Sequence, residues 1–183
     1  MKYIRKFIIL TMAVFTITNV KAQTKPAPAD RVMKDAIAEA AATHKNVFII
    51  FHASWCGWCH KMDNAMNEGE LKSFFNSNYV VVHLTVDESK DKKNLENPGA
   101  DELRKKYHGE NQGLPYWFIV DSKGNFLADS RKADDKNPGK LSSVGCPSEQ
   151  DEVDYFVQVV KKTSSLNNQQ LALIQQRFRK NKE

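Results

Sequence analysis

The sequence has little of anything that imposes a special architecture. Eight glycines and six prolines in 183 residues exclude a collagen-like chain, and three cysteines are too few for a disulfide-stapled mini-protein. A coiled-coil rod is excluded by the same composition. An excess of one charge is also missing. The formal +5 comes mostly from the first 22 residues, where Lys2, Arg5, Lys6 and Lys21 meet no acid; the remainder holds 23 basic against 22 acidic side chains. Nucleic acid, which attracts a clustered basic face, is therefore not an expected partner. Only one long apolar run occurs, near the N-terminus, and no later segment is apolar enough to span a bilayer. The overall balance, 41% hydrophobic and 27% charged, is that of a globular protein, and the length suits one domain.

Met1 to Lys6 is short and basic, and Phe7 to Val20 is almost wholly apolar. Val20 and Ala22 place small side chains where a signal peptidase reads, so residues 1–22 are expected to be a signal peptide cleaved before Gln23. Fourteen apolar-run residues at about 1.5 Å rise cover roughly 21 Å, short of a ~30 Å hydrocarbon core. That disfavours the competing reading, a retained anchor. No cysteine follows the run, which closes the lipoprotein route. The expectation is an exported protein, periplasmic or secreted. Thiols do not stay reduced by default in such a compartment, and an odd count leaves at least one cysteine free, intermolecular or catalytic.

Residues 23–29 (QTKPAPA) form a flexible lead-in to a domain expected over 30–166. Asp30 is a candidate N-cap for a helix carrying Met33, Ile37, Ala40 and Ala41. Asn46 to Ala53 and Tyr79 to Val86 are apolar, β-branched runs that predict buried strands. Between them a helix starts near Cys56, carries Met62 and Met66 as core residues, and breaks at Gly69, with a further turn or two to Phe75. Asp87 to Gly99 is polar and is expected to be a solvated loop, followed by a short helix over Ala100 to Tyr107. Pro115 to Asp121 predicts a strand, residues 122–125 a turn, and Phe126 to Asp129 its antiparallel return. Ser130 to Lys140 is expected to be another loop. Val153, Phe156, Val157 and Val160 mark a helix, and a final one over 167–183 is capped near Asn167. Strands alternating with helices in this order predict an α/β layered domain with a mixed sheet.

The chemistry concentrates in Trp55-Cys56-Gly57-Trp58-Cys59-His60. Two cysteines separated by two residues, after a strand and opening a helix, can close a small disulfide. Cys56 falls at the helix start, where unpaired N–H groups and the macrodipole favour a thiolate. Cys59 lies one turn deeper, where the dipole helps it less. This asymmetry makes Cys56 the nucleophile toward a partner's disulfide and Cys59 the resolving thiol. Three other readings compete. Cys56-Gly57-Trp58-Cys59-His60 also spells a c-type haem attachment pattern, which the preceding apolar strand opposes. Cys56, Cys59, His60 and Cys146 form a possible tetrahedral zinc set, although a second cysteine pair is lacking. A purely structural disulfide across a two-residue loop gains little chain entropy.

Residues 49–59 (IIFHASWCGWC) resemble the strand and active-site turn of the thioredoxin superfamily, and the run through Met62 is closer to exported bacterial members than to housekeeping thioredoxin. Gly113-Leu114-Pro115-Tyr116 matches the family's cis-proline loop, and Val144-Gly145 its glycine before the last helix. The likeness spans roughly residues 30 to 162. It implies a thioredoxin-like fold, a mixed central sheet with helices on both faces and an extra C-terminal helix. It further implies a cis Leu114–Pro115 peptide that helps bind substrate backbone beside the cysteine pair. Two departures stand out. Ile50 occupies the place of a buried carboxylate that moves the resolving thiol's proton in family reductases, a task then left to water, His60 or another acid. Gly57-Trp58 replaces Gly-Pro between the cysteines and leaves the direction of electron flow open.

The expected function is a thiol–disulfide oxidoreductase serving cell redox homeostasis, reductive in direction, that exchanges disulfides with protein substrates. Its competitors are a non-catalytic binding module of the same fold and the zinc protein. Trp55, Trp58, Leu114 and Pro115 are the expected substrate-binding residues. His60 and Cys146 are auxiliary candidates, the latter as a second resolving thiol or simply a small buried residue. No metal or organic cofactor is expected, since the Cys56–Cys59 dithiol carries the redox equivalent itself. Partners are a redox protein, membrane-bound if the flow is reductive, and the substrates; the chain is expected to be a monomer. His44, His52, His83 and His108 show no ligand spacing and are assigned no role.

Overall fold

The structure, a computed structural model, describes residues 25–134, 137 and 139–182. The signal peptide expected at 1–22 and its cleavage point lie outside them. In chain order the elements are helix α1 (Ala29–Thr43), strand β1 (Asn46–His52), helices α2 (Gly57–Asn67) and α3 (Leu71–Asn78), and strand β2 (Tyr79–Thr85). Helix α4 (Ala100–Lys106), strands β3 (Tyr116–Val120), β4 (Phe126–Asp129), β5 (Arg131–Ala133) and β6 (Leu141–Ser143), and helices α5 (Gln150–Thr163) and α6 (Asn168–Arg179) complete it.

The main sheet has the order β2-β1-β3-β4. β1 runs parallel to β2, from Asn46 opposite Tyr79 to His52 opposite Thr85, and antiparallel to β3, which returns antiparallel through β4. A parallel pair requires a crossover, and α2 with α3 supplies it. β1 is apolar from Val47 to Phe51 because both its faces are covered. Phe48 and Ile50 point to one side, joining Trp117 of β3, Met62 of α2, Phe75 of α3, Phe156 of α5 and Phe178 of α6. Val47, Ile49 and Phe51 point to the other, against Met33, Ala36 and Ala40 of α1 and Ala100 of α4. The expected α/β layers with helices on both faces are therefore present. Gly69 breaks the α2–α3 segment in a left-handed conformation, φ +53°.

Three expectations need correction. Asp30 is not the N-cap of α1: the cap is Pro28, two residues earlier, and buried Ala29, the first helical residue, donates its N–H to the Pro98 carbonyl at 2.8 Å. Asp30 sits in the first turn instead, where its charge suits the helix dipole. The stretch Ser130 to Lys140 is not wholly loop. β5 pairs antiparallel with β6, Arg131 opposite Ser143, as a separate two-stranded sheet. Its side chains are exposed or half-buried, so no apolar alternation announced it. Asp87 to Gly99 is likewise not a plain solvated loop. It contains a 3-10 helix over Lys90–Leu95, and Glu88 is buried.

The C-terminal helix packs on the domain. Leu171, Ile174 and Phe178 enter the core, and the Phe178 ring lies 4.6 Å from that of Phe156. Asn167 caps α6 through a reciprocal bond with Gln170, as its sequence predicts. Beyond the helix, Lys61 of α2 donates to the Asn181 carbonyl at 2.7 Å, and within it Arg177 pairs with Glu68 at 2.6 Å.

Candidate active site

Strand β1 ends at His52 and delivers the chain directly to the start of α2. Cys56 is the N-cap residue of that helix, with extended backbone, and its sulfur accepts the Cys59 N–H at 3.1 Å. A serine or aspartate oxygen commonly fills this place; here a sulfur does. Cys56 and Cys59 form a disulfide with Cα atoms 5.3 Å apart. Both are buried, at 3% and 1% exposure. Sγ of Cys56 thus lies among the unpaired N–H groups that begin α2, where negative charge is favoured, and Cys59 lies inside the first turn.

Leu114 packs against Ala53, Cys56 and Cys59, and the Leu114–Pro115 peptide is cis. The neighbouring loop closes on this segment. Gly145 adopts φ +56°, and a Cβ there would stand 3.8 Å from the Pro115 carbonyl oxygen. The Trp117 indole donates to the Gly145 carbonyl at 2.8 Å and ties the loop to the core. Trp55 and Trp58 project outward at 59% and 48% exposure, an apolar rim beside the sulfurs. Lys61 Nζ lies 4.9 Å from the centre of the Trp58 ring. A groove of about 220 Å³ runs between Trp58, Gly113, Leu114, Val144, Gly145 and Cys146.

The fold therefore gathers Cys56, Cys59, Trp58, Leu114, Pro115 and Cys146 at one end of the sheet. The auxiliary candidates take specific partners. His60 is exposed, and its Nε2 lies 3.1 Å from the Ser54 carbonyl oxygen. Cys146 is buried and accepts from Asn181 Nδ2 at 3.2 Å, and burial pushes its thiol up to about 12. The zinc set of Cys56, Cys59, His60 and Cys146 is not assembled: among the described residues no three His, Cys, Asp or Glu side chains are grouped to hold a metal ion.

Several polar residues around the site were not anticipated. Glu88, from the segment after β2, accepts the Ser54 N–H at 2.5 Å and its hydroxyl at 2.8 Å. The Trp55 indole donates to the Asp87 carbonyl at 2.8 Å, and Asp87 pairs with Arg104 of α4 at 2.6 Å. These contacts fasten the turn preceding Cys56. His52 and His83, assigned no role from the sequence, stack edge-on with ring centres 5.2 Å apart. His83 Nε2 lies 2.7 Å from Asp63 Oδ1, and His52 Nε2 lies 3.2 Å from Thr85 Oγ1. Burial first, and His83 second, lower the proton affinity of His52. Ile50 itself is sealed in the core, so the carboxylate missing there is not restored in place. Strand alternation signals that His52 shares the face of Ile50, and helical spacing that Asp63 follows Cys59 by one turn. Only the parallel β1–β2 pairing brings His83 to them.

A helix-start cysteine disulfide on a mixed sheet covered on both faces is the arrangement of thioredoxin-fold disulfide oxidoreductases. The family model described as thioredoxin-like matches residues 30–122, just over half of the chain, and the chain belongs to that family. No curated protein matches. Among solved structures it is similar to a disulphide isomerase from Xylella fastidiosa Temecula1, at 25% identity and TM-score 0.47, over 59% of this chain and 77% of that one. A DsbH oxidoreductase is similar at 26% identity and TM-score 0.40, over 52% and 67%. The oxidised C-terminal domain of Neisseria meningitidis DsbD is similar at 19% identity and TM-score 0.44, over 75% and 98%. No helix among the described residues is long and apolar enough to cross a membrane.

Proposed function

We propose that this protein is an exported thiol–disulfide oxidoreductase that reduces disulfides in protein substrates, with Cys56 as nucleophile and Cys59 as resolving thiol. The observation that carries the reading is the position of Cys56: its sulfur caps α2 and accepts the Cys59 N–H. A thiol so placed has a pKa lowered from ~8.5 into the range of roughly 3.5–7.5. Cys56 thiolate attacks one sulfur of a substrate disulfide, forming a Cys56–substrate bond and releasing the other substrate sulfur as thiolate, which takes up a proton from solvent. Cys59, having lost its proton, then attacks Cys56 Sγ; the substrate sulfur leaves with the electron pair and takes up a proton. The substrate gains two electrons and two protons, and the protein is left as the disulfide.

Trp55 and Trp58 supply an apolar docking rim, and Leu114 and Pro115 the surface along which substrate backbone lies. No organic cofactor enters this scheme. Electrons return to the dithiol from a partner redox protein, a membrane carrier for a reductive role outside the cytoplasm, once the signal peptide at 1–22 is removed. The chain acts as a monomer.

Alkylation of the reduced protein by iodoacetamide across pH tests the reading. The expected result is one fast thiol, Cys56, half-reactive below about pH 7.5, with Cys59 slow. Two equally slow thiols titrating near ~8.5 overturn it. Direction follows from a redox titration against glutathione: a potential near about −270 mV supports reduction, one near about −120 mV reverses the assignment.

A further inference from the structure

We infer that Asp63 and His83, backed by His52, form a proton relay for the thiol of Cys59. The inference rests on the oxidoreductase reading above and deepens it. In the resolving step Cys59 must lose its proton before it attacks Cys56. Yet Cys59 is 1% exposed and enclosed by Ala53, Cys56 and Leu114, so bulk water does not reach it directly. The helix-start N–H groups favour charge on Cys56 rather than on Cys59. A neighbouring base is needed.

Asp63 follows Cys59 by one turn of α2, and side chains four apart on a helix are neighbours, with Cβ atoms about 5–6 Å apart. Asp63 Oδ1 is 2.7 Å from His83 Nε2, a pair that is neither fully buried nor fully exposed. His52 lies against His83 on the sheet face of Ile50, its ring centre 5.2 Å away. The ionisable groups facing His52 are His83 from β2, Asp63 and His60 from α2, and Glu88 from the segment after β2. Burial first, and the adjacent ring second, disfavour an added proton on His52, which leaves the carboxylate-paired ring of His83 as the place for one. An outlet exists as well. A cleft of about 180 Å³, lined by Asp63, Met66, Asn67, Asn76, Val81 and His83, opens from this pair to solvent.

The step balances as follows. Cys59–SH gives its proton to the Asp63–His83 pair, which becomes carboxylate and imidazolium. Cys59 thiolate bonds to Cys56 Sγ, the Cys56–substrate bond breaks, and the departing thiolate takes a proton from solvent. The imidazolium then releases its proton through the cleft.

Reaction of the reduced full-length mature protein with Ellman's reagent separates the events, because each releases one coloured thiolate: the first on attack by Cys56, the second on resolution by Cys59. In the wild type the second phase is expected to show two inflections, one from the relay pair and one from the thiol. In Asp63→Asn and His83→Gln the relay inflection disappears and the second phase slows on the order of 100-fold at pH 7. The first phase stays unchanged, and the second rejoins the wild type in strongly alkaline solution, where hydroxide removes the proton unaided. Variants whose second phase keeps the wild-type pH profile overturn the relay. So does a wild-type profile with the thiol inflection alone, a result that needs no variant to fold. Absence of a fast first phase in the wild type refutes the oxidoreductase reading instead.

Discussion

Glu88 holds Ser54 through two hydrogen bonds, its Oε1 2.5 Å from the Ser54 amide nitrogen and its Oε2 2.8 Å from the hydroxyl. Glu88 is 4% exposed, and its backbone N–H donates to Glu96 Oε1 at 2.8 Å. Ser54 lies two residues before Cys56, so Glu88 fixes the turn that sets the sulfur at the helix start. Glu88→Ala leaves the Ser54 amide without its partner and is expected to lower stability by about 1–3 kcal/mol. Glu88→Gln retains an acceptor of the same shape and is expected to lose less. Urea unfolding of both variants checks the order; equal losses, or none, refute the clamp.

Cys146 is read best as a locked thiol. Asn181 donates to its sulfur at 3.2 Å and to the Pro147 carbonyl at 3.1 Å, and Asn181 is itself 4% exposed. Burial raises the thiol from the ordinary 9.0 to about 12. The unfolded chain therefore gives up this proton more readily than the folded one. The stability it supports is complete below pH 9 and is lost as pH climbs toward about 12. Replacing Cys146 by alanine should flatten the decline in stability over that window. In the native wild type, Cys146 should resist iodoacetamide at pH 8 and react once urea unfolds the chain. Rapid native labelling sinks this account and revives Cys146 as a second resolving thiol.

His52 has the opposite linkage. Its proton affinity is lowered from the ordinary 6.5, by burial and then by His83, so the unfolded state binds the proton more tightly. Its contribution is full above pH 6.5 and drains away as the solution is acidified. His52→Gln cannot titrate. Between pH 7 and pH 5 its urea midpoint should fall less than that of the wild type; parallel decline in both proteins contradicts the assignment.

The layered fold was legible because the middles of β1 and β3 are apolar on both faces, β2 is mostly apolar, and the helices between them carry one apolar side. Cys56 and Cys59 were legible from spacing, since a helix beginning at Gly57 makes the residue before it the cap. What escaped were contacts between segments distant in sequence. Glu88 sits in a run of charges that looks solvated, and nothing local reveals that Ser54, 34 residues earlier, needs an acceptor. His83 meets Asp63 only through the crossover that lays β2 beside β1. β5 and β6 were invisible for another reason. Arg131 to Ala133 and Leu141 to Ser143 are joined by backbone bonds and bury little, so composition carried no period to detect.

Phe178 ties the added C-terminal helix to everything else. It is fully buried, 4.6 Å from Phe156 and 6.5 Å from Phe75 by ring centres, and Phe156 in turn contacts Trp117 at 5.5 Å. Trp117 holds the Gly145 carbonyl beside the proline loop. Removing the ring empties a space that α5, α3 and the sheet cannot readily close, so Phe178→Ala should cost about 3–5 kcal/mol. It should also loosen Asn181, three residues on, and with it the cover over Cys146. The variant is therefore expected to unfold at lower urea and, while still folded, to label Cys146 faster than the wild type. A loss below about 1 kcal/mol with unchanged labelling would mean that α6 is an appendage rather than part of the core.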